Sequence, residues 1–126
     1  MLAVLATVAA ACGGDDAGSS GVDLRDKPFE DRTGSSTVEV DAVDNAFRPA
    51  YITVRAGTTV TFINRGRNQH NVLPVVEGAF DPIEVDELEP GASQSITFDE
   101  PGDVPYYCSL HGTTTKGMVG AVRVVE

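Results

Sequence analysis

Four side chains in this chain of 126 residues have the chemistry to hold a soft metal ion: His70, Cys108, His111 and Met118. The sequence contains 2 His, 2 Cys and 2 Met, so a site built from these types takes both histidines and leaves only Met1 and Cys12 elsewhere. An ion that alternates between Cu(I) and Cu(II) prefers sulfur in the first state and accepts imidazole in both. Two His and one Cys in a trigonal plane, with a weakly held axial Met, make the blue-copper electron-transfer set. Two His and a Cys with a water also suit zinc, but a thioether in the fourth place argues against hydrolytic zinc, which keeps a water there. A nucleophilic Cys–His pair is the poorer reading, because no acid stands at a spacing that would orient the histidine. Each residue alone has a plainer use: a buried Cys is a small hydrophobe, a His can satisfy a core hydrogen bond, and a Met can fill space. Together they point to one copper ion.

Ligands that far apart in sequence need a frame that returns them to one place. From Thr37 onward the hydrophobic period is two: Val38, Val40 and Ala42 alternate with Glu39 and Asp41, and Ile52 and Val54 alternate with Thr53 and Arg55. Val60, Phe62 and Asn64 alternate with Thr59, Thr61 and Ile63. Further strands are expected over 71–75, 93–98, 104–108 and 119–125, separated by Asn64-Arg65-Gly66, Pro90-Gly91 and Pro101-Gly102. No helical stripe is present, and the irregular stretch 74–90 has at most a helical turn around Asp86-Glu87-Leu88. The expectation is an all-β fold: a two-sheet antiparallel Greek-key sandwich of about seven to eight strands. In that frame Cys108 ends a strand, Ser109 and Leu110 let the chain bend back so that His111 reaches the same ion, and Thr113 to Gly117 span the mouth before Met118 enters the last strand.

The segments Tyr106-Tyr107-Cys108-Ser109-Leu110-His111-Gly112 and Gly117-Met118-Val119-Gly120 resemble the copper loop of the plastocyanin and halocyanin branch of the cupredoxins. Phe47-Arg48-Pro49, Gly57, Asn64 and His70-Asn71-Val72 resemble that family's first-ligand half, and the likeness spans nearly all of residues 37–126. The spacing from His111 to Met118 is longer than in plastocyanins. The resemblance implies a carrier of single electrons, not an enzyme, with His70, Cys108, His111 and Met118 around one copper ion. It implies that Asn71 ties the two ligand loops together by hydrogen bonding near Ser109, that the Asn71 backbone N–H points at the Cys108 sulfur, and that the Gln69 carbonyl lies opposite Met118. It also implies two electron exits, the exposed edge of His111 and the ring of Tyr107.

Ahead of the strands, residues 1–11 are an apolar run suited to an export signal and too short for a membrane span, which needs about 20 residues. Ala9-Ala10-Ala11 before Cys12 resembles a bacterial lipobox, which implies cleavage before Cys12 and lipidation of its sulfur, with the protein anchored on the extracytoplasmic side of the membrane. A plain secretory signal and a Cys12–Cys108 disulfide are the alternatives. Residues 12–36 are rich in Gly, Ser and Asp, and read as a flexible tether to the copper domain at 37–126. The 9 Lys+Arg against 19 Asp+Glu give a net charge of −10, which disfavours nucleic acid as a partner. No Lys or Arg lies between Arg67 and Lys116, where nine acids fall from Glu77 to Asp103. That patch suits a cationic redox protein docking on a monomer. A copper chaperone or storage protein is the rival function, but residues 13–36 hold no Met or His. A copper domain accessory to an oxidoreductase system is the other, though no His is left for a further copper.

Overall fold

The computed structural model describes residues 21–126. The leader at 1–11, Cys12 and the first part of the tether lie outside the described residues. Nine strands form among those described: β1 (Glu30–Asp31), β2 (Thr37–Val43), β3 (Ala46–Arg48), β4 (Tyr51–Arg55), β5 (Thr58–Asn64), β6 (Leu73–Pro74), β7 (Ser93–Phe98), β8 (Gly102–Gly112) and β9 (Gly117–Val125). One 3-10 turn, Val85–Glu87, sits in the irregular stretch before β7, closed by reciprocal contacts between Glu84 and Glu87. No helix among the described residues is long and apolar enough to cross a membrane.

The strands form a five-stranded sheet in the order β1-β4-β9-β8-β6 and a four-stranded sheet in the order β3-β2-β5-β7. The sandwich expected from the period-two pattern is present, but its sheets are mixed where antiparallel pairing was expected. β2 runs parallel to β5, and β4 runs parallel to both β1 and β9. The cause lies in the connections. Every connection between β3 and β8 carries the chain across the core to the other sheet, so strands adjacent in sequence face each other instead of pairing. Parallel pairing needs such a crossover, and local alternation cannot reveal it.

Apolar residues at alternate positions meet between the sheets. Val38, Val40 and Ala42 of β2, Ile52 and Val54 of β4, and Val60 and Phe62 of β5 are buried. Phe47, Phe62 and Tyr106 pack edge to face around one point, with centroids 4.9 to 6.2 Å apart, a geometry the ring quadrupoles favour. Gly120 exists for this ring: a Cβ there would stand 2.5 Å from the Tyr106 phenol and 2.6 Å from the Ala50 carbonyl. Burial pushes the Tyr106 hydroxyl pKa up.

The described part of the segment read as a tether lies against the sandwich. Glu30 and Asp31 pair in parallel with Ile52 and Thr53, and the Arg32 N–H donates to the Thr53 carbonyl at 2.8 Å. Phe29 is held between the Tyr51 ring, 5.6 Å away, and the Arg123 guanidinium, 3.8 Å above its centroid. Gly21 lies close enough to the sheet that a Cβ on it would stand 3.2 Å from Val75 and 3.7 Å from Pro105. Residues 21–32 are thus a strap across the outer face of the five-stranded sheet. Ala121 faces outward by alternation yet is 0% exposed, so the sheet is covered at that point. Composition missed the strap because it is held by one aromatic residue, Phe29, and by backbone pairing that leaves no compositional signal.

Candidate metal centre

β5 ends at Asn64, and the loop that follows brings His70 to one end of the sandwich. At the same end β8 reaches Cys108 and then leaves its regular pairing. Tyr107 pairs with Val119 and Gly112 with Gly117, so Cys108, Ser109, Leu110 and His111 together oppose the single residue Met118. That bulge sets Cys108 and His111 of one strand opposite Met118 of the next. Met118 is fully buried there.

The extra residues between His111 and Met118 do not separate them. Gly112 and Gly117 pair, and the Thr113 N–H donates to the Lys116 carbonyl at 2.8 Å, so 113–116 form a tight turn projecting past the ligands. Both glycines are required by the close approach. A Cβ on Gly112 would stand 2.5 Å from the Met118 nitrogen, and one on Gly117, whose φ is +81°, would stand 2.6 Å from the His111 carbonyl oxygen.

Cys108 Sγ lies 3.8 Å from His70 Nδ1 and 3.7 Å from His111 Nδ1, and the three ligand atoms are all within 4.8 Å of one another. A metal bonded to nitrogen at about 2.0 Å and to sulfur at about 2.3 Å, with about 120° between them, sets nitrogen and sulfur about 3.7 Å apart. The three donor atoms therefore have the spacing to hold one ion. His70 and Cys108 are fully buried and His111 is half-buried. Burial, then the neighbouring His111, push the His70 pKa below its usual range against a smaller opposing effect of Asp44. A ring kept neutral is in the form that binds metal.

Around these ligands the structure places the other singled-out residues unevenly. Asn71 Nδ2 donates to Ser109 Oγ at 2.9 Å, and the Ser109 N–H donates to Asn71 Oδ1 at 2.8 Å, so the two ligand-bearing segments are tied reciprocally. The Cys108 sulfur has both imidazole nitrogens within hydrogen-bonding reach, and Asn71 engages the Cys108 loop through its side chain. Gln69 is exposed, and its amide reaches Glu89 at 3.3 Å. Tyr107 pairs with Leu73 and Val119, half-buried on the face of β8 opposite Cys108, and does not join the cluster. Cys12 lies outside the described residues. Sequence reasoning gave no role to the Gly112–Gly117 neck or to the Asn64 side chain, although two glycines flanking a turn between ligands were a readable signal of the neck.

Comparison with known proteins places this geometry. A sequence model of the family described as "Copper binding proteins, plastocyanin/azurin family" matches residues 35–125. The chain is a cupredoxin of that family. It is 34% identical over 103 residues to a plastocyanin of Scenedesmus fuscus, covering 70% of this cupredoxin and 97% of the relative. It is 34% identical over 95 residues to a chloroplastic plastocyanin of Physcomitrium patens, covering 68% of this chain and 56% of the other. The cupredoxin thus spans little more than half of some of the plastocyanins it matches. Among solved structures it is similar to a reduced amicyanin mutant, with a TM-score of 0.60 and 30% identity over 71% of this chain and 82% of the other. It is also similar to a copper-containing nitrite reductase from Thermus scotoductus, with a TM-score of 0.58 and 29% identity over 84% of this chain but only 25% of that one. Family, fold and donor set agree on one copper ion as the cofactor of this cupredoxin.

Proposed function

We propose that this cupredoxin carries one electron at a time through a copper ion that His70, Cys108, His111 and Met118 would hold. The observation that carries the proposal is the convergence of two imidazole Nδ1 atoms on one buried thiol at 3.7 and 3.8 Å. Copper supplies the one-electron chemistry. The chain holds the donor atoms in one arrangement for both oxidation states, which limits rearrangement on transfer. His111 is the half-buried edge of the centre and its route to a partner.

Partners are redox proteins with a cationic face, met on the acids between Glu77 and Asp103. Of these, Asp103 is paired with Arg123, while Asp81 and Glu87 line an open groove of about 450 Å³ beside β7. The working location is the extracytoplasmic side of a membrane, with the chain anchored at a lipidated Cys12 that follows the lipobox-like Ala9-Ala10-Ala11. Mass spectrometry of the membrane fraction tests the anchor, which an unmodified and soluble mature protein refutes.

The copper assignment is tested by loading the protein with Cu(II) and recording its visible spectrum and reduction potential. An intense thiolate-to-copper band is expected, and Cys108→Ser abolishes it. Survival of the band in that variant removes the assignment. The likeness to a nitrite reductase over a quarter of that chain favours one second reading, a copper domain that serves a larger oxidoreductase. Nitrite turnover by a separate catalytic copper protein that depends on adding the copper-loaded chain would argue for it.

A further inference from the structure

A histidine that binds metal through one ring nitrogen is ordinarily oriented by a hydrogen bond from the other, which fixes its tautomer and rotation. His70 has none. Its Nδ1 faces Cys108, while Nε2 is buried with no partner among the described residues. The placement of this ring must therefore come from its backbone and from packing.

The backbone is held from one side chain. The His70 N–H donates to the Leu88 carbonyl at 3.3 Å. The same carbonyl accepts from Asn64 Nδ2 at 2.9 Å, and that amide nitrogen also donates to the carbonyl of Asn68, two residues before the ligand, at 2.8 Å. Asn64 Oδ1 accepts from the Gly66 N–H at 2.9 Å. The Asn64 main chain is committed as well, its N–H to Ala92 and its carbonyl to Gly91, each at 2.9 Å. Asn64 is 1% exposed, and its amide meets three backbone partners. It fastens three pieces of chain: the end of β5, the loop that delivers His70, and the segment around Leu88.

We propose that Asn64 is the positioning residue of the first copper ligand. It clasps the backbone before His70 as Asn71 ties the backbone after it to the Cys108 loop, so the imidazole is located from both sides without a hydrogen bond to its own Nε2. The inference rests on the copper reading of the site. A purely structural role for Asn64 makes a different forecast, since it would lower stability without singling out the ligand.

The test uses the full chain, metal-free and copper-loaded, as Asn64→Ala and as Asn64→Ser, which keeps a smaller polar group if the alanine variant folds poorly. Val60→Ala, which removes buried volume from the same strand without touching the loop, serves as the stability-matched control. Two quantities are read: hydrogen exchange of the His70 amide in the metal-free protein, and release of copper to excess chelator with the visible band followed alongside. The Asn64 variants are expected to lose about tenfold in His70 amide protection and to release copper about tenfold faster with a changed band shape, the scale typical of lost outer contacts to a metal ligand. Val60→Ala is expected to change neither by more than about twofold at an equal loss of melting temperature. His70 protection and copper release in the Asn64 variants that match Val60→Ala overturn the clasp. A wild-type chain that shows no charge-transfer band refutes the copper reading instead, and the amide exchange then still decides whether Asn64 holds His70.

Discussion

Ser109 is exposed, yet its hydroxyl receives the Asn71 Nδ2 donor at 2.9 Å, and Asn71 is only 4% exposed. Removing the hydroxyl leaves a largely buried amide donor unpaired, while the reciprocal bond from the Ser109 N–H to Asn71 Oδ1 survives. A lost partner of this kind costs about 1–2 kcal/mol. Ser109→Ala should therefore lower stability by that amount and speed copper release, measured by denaturant unfolding and chelator competition. Unchanged release would mean that the Asn71–Ser109 tie does not hold the ligand loops together. At this scale the ligand types were readable, because scarcity forces both histidines and the one cysteine beyond Cys12 into a single set. The clasping role of Asn64 was not. Its partners are the carbonyls of Asn68 and Leu88, and carbonyls carry no sequence signature.

The strands were legible wherever they alternate over five or more residues, as β2, β4 and β5 do. They were not at β1 and β3, which are too short to show a period, while the strand expected over 71–75 is shortened to β6 at Leu73–Pro74. Two elements yield separate forecasts. In the neck of the ligand turn, Gly117→Ala combines a positive φ with a Cβ 2.6 Å from the His111 carbonyl, whereas Gly57→Ala meets the positive φ alone, with no atom within 4 Å. Gly57→Ala should cost about 1–2 kcal/mol from backbone strain and leave the copper spectrum intact. Gly117→Ala should cost more and also shift the visible band, because His111 must move. Equal spectra for the two would show that the neck does not position His111. In the strap, Phe29→Ala removes the ring held between Arg123 and Tyr51 and should lower stability by about 1–2 kcal/mol. Proteolysis between residues 21 and 33 should become faster with the copper spectrum unchanged, and resistance equal to the wild type would mean that the strap is held by its β1 pairing alone.

Across the whole molecule the copper end joins the two sheets, since His70 follows β5 of the four-stranded sheet while Cys108, His111 and Met118 belong to β8 and β9 of the other. Occupancy of the site is therefore coupled to the stability of the entire sandwich, and a ligand at about a thousand times its Kd adds about 4 kcal/mol. The metal-free protein lacks that support and carries a penalty that depends on pH. The folded-state pKa of His70 lies below its ordinary value, first because of burial and then because of His111, with Asp44 opposing. Above the ordinary imidazole value the ring is neutral whether the chain is folded or unfolded, and it adds no pH dependence. As the pH falls below about 6.5 the unfolded chain takes up a proton that the folded chain resists, so stability is lost until the depressed folded value has been passed. The melting temperature of the metal-free protein should then fall between about pH 7 and pH 5, and His70→Gln, which cannot take up that proton, should flatten the fall. A fall of the same size in His70→Gln would assign the acid sensitivity to groups other than this buried ligand.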